Sequence, residues 1–90
     1  MSDLREFCLG AVYYLVTAGS DDVPLHDRAA TLSDILARVR NNYLNVTKEK
    51  IIKSLEILVN DGFFTKERLS SDTIYRLTDK GEKELERLFR

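Results

Sequence analysis

The stretch that decides the fold reads Leu58-Val59-Asn60-Asp61-Gly62-Phe63-Phe64, then Thr65-Lys66-Glu67-Arg68-Leu69-Ser70-Ser71-Asp72-Thr73-Ile74, then Tyr75-Arg76-Leu77-Thr78-Asp79-Lys80-Gly81. Gly62 can take the positive φ that ends a helix. Phe63 to Arg68 and Thr73 to Leu77 are rich in aromatic and β-branched residues and read as strands. Leu69-Ser70-Ser71-Asp72 is the polar turn between them. Tyr75 and Leu77 share one face of the second strand, Ile74 and Arg76 the other. Thr78 or Asp79 then caps a last helix running to Phe89, with Leu85, Leu88 and Phe89 to bury.

Upstream, Thr47 caps a third helix from Lys48 to about Asp61. Ile51, Ile52, Leu55, Leu58 and Val59 make its buried stripe. Ile57 lies off that stripe, and this helix alone does not explain it. The second helix runs from Leu32 to about Arg40, with Leu32, Ile35, Leu36 and Val39 at i, i+3, i+4 and i+7. Thr31 with Asp34 fits a capping box at its start, and Asn41-Asn42 is expected to break it. Ala29 to Thr31 fits a very short strand. Asn41 to Val46 reads as an elongated turn packed down by Tyr43, Leu44 and Val46.

The first helix spans about Asp3 to Ala18 and ends at Gly19. Leu4, Cys8, Ala11, Leu15 and Ala18 fall on one face, flanked by Phe7 and Tyr14. Leu9, Val12, Tyr13 and Val16 fall largely elsewhere. A helix apolar on two faces is covered on two sides. The expectation is a homodimer seam made by Leu9, Val12, Tyr13 and Val16 with Leu88 and Phe89 of the last helix. The alternative cover is the chain's own last helix and the loop after the first.

Ninety residues make one domain, and 43% apolar content excludes a disordered chain. A strongly basic chain would point to nucleic acid directly. The net charge is −1, so the distribution of charge has to decide. Cys8 is the one cysteine; it can form no internal disulfide and reads as a packing residue. The apolar run Phe7 to Val16 is too short to span a bilayer. It follows Asp3 and Glu6 rather than a basic leader. The expected compartment is reducing, in the cytoplasm or nucleus. One His, one Cys and no glycine-rich phosphate loop exclude the common enzyme patterns. Asp21, Asp22, His26 and Asp27 read as a solvated loop, so no metal or cofactor is expected.

The order is helix, short strand, helix, helix, strand, wing, strand, helix: mainly α with a small β-hairpin. It resembles the winged helix-turn-helix superfamily, in particular PadR-like and MarR-like transcriptional regulators. Leu55 to Phe63 is similar to the leucine-rich end of that family's recognition helix, and Tyr75-Arg76-Leu77-Thr78-Asp79-Lys80-Gly81 to its exit from the wing. Thr31 to Leu36 matches more loosely. The resemblance implies double-stranded DNA as partner and transcription regulation as function. Winged helices also serve as protein-interaction modules, which is the alternative reading.

From Arg38 to Lys53 there are five bases (Arg38, Arg40, Lys48, Lys50, Lys53) against one acid (Glu49), a local net of +4. Residues 1–37 hold two bases against six acids, a net of −4. Phosphate contact needs the first kind of segment. Lys50, Lys53 and Ser54 are the candidate groove contacts, and Arg38, Arg40 and Lys48 the candidate phosphate contacts. Lys66, Arg68 and Arg76 would serve the wing, with Ser70 and Ser71 at its tip. Glu49 and Glu56 are expected to pair along the helix with Lys53 and with Lys48 or Lys50.

Overall fold

The first helix, α1 (Leu4–Thr17), is the post around which the domain is built. Its sequence is apolar on nearly every side, and a helix of that kind is stable only when surrounded. The structure, a computed structural model, describes residues 4–18, 24, 27–42 and 45–88. Within them α1 is followed by β1 (Ala30–Thr31), α2 (Leu32–Asn42), α3 (Lys48–Asn60), β2 (Phe64–Arg68), β3 (Thr73–Leu77) and α4 (Asp79–Leu88). Among these, α1 touches α2, α3, α4, β1 and β3.

That packing corrects the expected seam. Leu9 is 1% exposed, Val12 0% and Val16 1%, all inside the chain's own core. They join Cys8, Ala11, Ile35, Val39, Ile51, Leu55, Phe64, Tyr75, Leu77 and Leu85 in one cluster. Burying each such aliphatic side chain contributes roughly 1.5–3 kcal/mol. The second apolar face of α1 is therefore covered from within, by α4 and by helices and strands packed on the other sides. Of the expected seam, Tyr13 remains 40% exposed and Leu88 is half-buried. Phe89 lies outside the described residues, as do Gly19, Tyr43, Leu44, Asp21, Asp22 and His26.

The sheet order is β1-β3-β2, antiparallel throughout. Ala30 pairs with Tyr75 and Thr31 with Ile74, so the two-residue β1 makes β3 the central strand. Phe64 opposes Leu77, and its ring meets the diagonal Tyr75 edge-on, with centroids 6.3 Å apart. Ile74, on the opposite face of β3, is also buried, at 9% exposure, and lies outside the main cluster.

Local chemistry fixes the helix ends. Thr31 Oγ1 accepts the Asp34 N–H at 3.1 Å, and Thr47 Oγ1 accepts the Lys50 N–H at 3.3 Å. Contrary to expectation, α2 continues through Asn41 and Asn42. Asn42 Nδ2 donates to the Arg38 carbonyl at 3.1 Å and so satisfies a carbonyl near the helix end. At the end of α3, Gly62 has φ +85°. The Phe63 N–H reaches the Leu58 carbonyl at 2.9 Å and the Gly62 N–H reaches Val59 at 3.0 Å, the two bonds of a Schellman turn.

The Leu77-Thr78-Asp79-Lys80-Gly81 exit locks onto that turn. Thr78 Oγ1 lies 2.6 Å from the Gly62 carbonyl and accepts the Gly81 N–H at 3.1 Å, capping α4. A Cβ on Gly81 would come within 2.3 Å of the Phe63 carbonyl oxygen. Position 81 therefore needs glycine for space, because backbone crosses it directly.

Candidate nucleic-acid interface

α3 turns Ile51, Leu55 and Leu58 inward and leaves Lys48, Glu49, Lys50 and Lys53 exposed. Arg40, at the end of α2, is exposed as well. These are four of the five bases of the +4 segment, and the fold presents them on the end of α2 and the first half of α3. Arg38 is placed differently. Its guanidinium stacks 3.6 Å from the centre of the Tyr14 ring on α1 and is half-buried. It bridges α1 and α2 as much as it offers charge.

Ser54 does not reach the outer surface. It is 8% exposed, because four residues of helix place it only about 40° around the axis from Leu58. Ser54 is thus largely covered, and its remaining surface lines a shallow groove between the start of α1 and α3, together with Leu4, Arg5, Lys50, Lys53 and Ile57. This places Ile57: off the stripe, it lines the same groove as Leu4. The displaced isoleucine was the signal in the sequence that another element lies along that side of α3.

The other side of α3 faces the hairpin. Glu56 does not pair along the helix. It accepts from Lys66 of β2 at 2.5 Å. Arg76 of β3 donates to Glu67 of β2 at 3.0 Å. Such part-exposed pairs are each worth at most about 1 kcal/mol of stability, but they cancel charge locally. Asp72, at the end of the turn, accepts from Ser33 Oγ at 2.8 Å and from the Thr73 N–H at 2.8 Å. The Ser33 bond, then the Thr73 bond, hold its carboxyl below the usual carboxylate range. Burial, reinforced by the charges of Glu56 and Asp72, pushes the Tyr75 hydroxyl up to about 12. Both acids thus act on the base of the hairpin. At its tip Arg68, Ser70 and Ser71 are exposed, and so is Leu69, at 46%.

Among the described residues no group of His, Cys, Asp and Glu is arranged to hold a metal ion. No helix among them is long and apolar enough to cross a membrane.

No protein-family model and no curated protein matches this sequence. Solved structures do match it. AF1382 from Archaeoglobus fulgidus superposes with a TM-score of 0.69 at 20% identity, covering 94% of this chain and 78% of that one. A protein described as a possible transcriptional regulator for arsenical resistance gives 0.59 at 21%, covering 96% and 71%. The plasmid segregation protein TubR, of type III, gives 0.56 at 10%, covering 100% and 90%. The fold is a winged helix. Its wing is the hairpin of β2 and β3, and α3 is the helix that leads into it. Identity at this level carries the fold, and function has to come from the surface.

Proposed function

We propose that this winged helix binds double-stranded DNA sequence-specifically through α3 and regulates transcription. The observation that carries the reading is the exposure of Arg40, Lys48, Lys50 and Lys53 together, with Glu49 as the one acid of their segment. Bases of that density release counterions from a duplex, and a winged helix aims this part of its third helix at the major groove. The role attributed to the possible arsenical-resistance regulator supports the same use of the fold. The Tyr-Arg-Leu-Thr-Asp-Lys-Gly exit supports a PadR-like or MarR-like subtype. Regulation by a homodimer on a palindromic site completes the reading. With Leu9, Val12 and Val16 inside the core, its seam falls to Tyr13 and Leu88, with Phe89 next in sequence.

A second reading is a protein-interaction winged helix. It is favoured by the near-neutral chain, by Glu49 on the outer face of α3 and by the exposed Leu69 at the wing tip. The double substitution Lys50→Glu/Lys53→Glu separates the two. Duplex binding collapses under the first reading. Under the second, the wild type binds no duplex, and partner binding survives the change.

A further inference from the structure

We propose that Tyr14, on α1, is a positioning residue for DNA binding: its ring holds the Arg38 guanidinium as a fixed fork for a duplex phosphate. This rests on the DNA reading above and adds to it a residue that touches no DNA itself. The Arg38 guanidinium carbon lies 3.6 Å from the centre of the Tyr14 ring. At that distance only the flat face of the cation fits against the ring, since an edge-on approach would drive a nitrogen into it. The contact therefore uses the face, while the N–H donors lie in the plane and point away at its edges. Among the described residues no carboxylate or carbonyl takes any of them. Other arginines differ. Arg76 and Arg87 donate to Glu67 and Glu84, and Arg28 donates to the Val16 carbonyl. Arg38 is held by a partner that leaves its donors free.

Its place in the fold suits that use. Arg38 stands near the end of α2, which leads to the start of α3. Arg40, Lys48, Lys50 and Lys53 are exposed along the same stretch. In a helix-turn-helix the helix before the recognition helix crosses the phosphate backbone. A guanidinium fork matches two phosphate oxygens at once. An unrestrained arginine gives up side-chain rotamers to make that contact. Here the ring has already restricted them, so more of the contact's energy appears as affinity. Tyr14 is 50% exposed and stands outside the core cluster. Removing its ring therefore opens no cavity in the core. The stack also joins α1 to α2, and that purely structural role is what the test has to separate.

The test titrates mixed-sequence duplex DNA at roughly 50 and 200 mM salt against wild type, Tyr14→Phe, Tyr14→Ala, Arg38→Ala and the double variant Tyr14→Ala/Arg38→Ala, with thermal unfolding beside it. Arg38→Ala lowers the slope of log affinity against log salt by about 1. Tyr14→Ala keeps the slope and weakens binding at the lower salt about two- to fivefold, the span of an exposed cation–π contact. Tyr14→Phe keeps a ring for the cation and binds as wild type does. In the Arg38→Ala background, Tyr14→Ala causes no further loss, because it acts only through the arginine. A stack that only staples α1 to α2 lowers the melting temperature of Tyr14→Ala and leaves its affinity unchanged, which overturns the proposal. So does an unchanged slope in Arg38→Ala, or a Tyr14→Ala loss of the same size with and without Arg38. Each of these, beside a wild type that binds with a clear slope, leaves the DNA reading standing. A wild type that binds no duplex at the lower salt overturns both.

Discussion

On the wing side of α3, Lys66, Arg68 and Arg76 stand beside Glu56, Glu67 and Asp72. On the α1 side, Arg5, Lys50 and Lys53 line a groove that no acid among the described residues shares. Each flank has three bases, yet their surroundings differ. In the first, ion pairs take up Lys66 and Arg76 and Ser33 ties Asp72 to α2, so that flank serves the fold. In the second, Lys50 and Lys53 are exposed on the outer side of α3. Counting bases along a sequence does not distinguish these cases, because what a phosphate meets is the local sum over neighbours brought in by folding.

The largest expected effect tests whether α1 is held within the chain's own core. Leu9→Ala removes a fully buried side chain and lowers the unfolding free energy by roughly 2–5 kcal/mol, read by denaturant titration. The solution mass should not change. A variant with altered mass and unaltered stability would return Leu9 to a subunit seam and undo the core described above.

Next in size is the charge reversal on the open flank. Lys50→Glu/Lys53→Glu should weaken duplex binding about a hundredfold at low salt and lower the salt slope by about 2, two phosphate contacts being lost. Both side chains are exposed, so circular dichroism and thermal unfolding should match wild type. The smallest effect belongs to the paired flank. Lys66→Ala and Arg76→Ala, measured in the same titration, should each change affinity by less than about threefold, since each removes a charge already balanced. Losses as large as those at Lys50 and Lys53 would erase the distinction between the flanks.

Much of the fold was legible in the sequence because its signals are local. Gly62, Thr47, Thr31 and the Thr73 to Leu77 strand each announce themselves through backbone chemistry within a few residues. Residues whose role depends on what lies across from them were not legible. Ser54 looked outward by helical spacing and is covered, while Glu56 looked ready to pair along its helix and pairs with the wing. Periodicity shows that the second face of α1 is buried and not what buries it, so it left open both a partner chain and the chain's own last helix, and the latter proves to contribute. Asn42 looked like a breaker but bonds back to Arg38. Arg5 carried no local signal, and its place beside Lys50 and Lys53 arises only when α1 and α3 pack. Ile57, out of step with its own stripe, was the nearest hint.

The most direct test of the central claim is the affinity of the wild-type chain for mixed duplex DNA, measured at roughly 50 and 200 mM salt. The open basic flank predicts clear binding at the lower salt, with log affinity falling by about 0.9 per phosphate contact for each tenfold rise in salt. For contacts at Lys50 and Lys53 alone that slope is about −2. No binding at the lower salt, or binding that salt does not weaken, would contradict the claim.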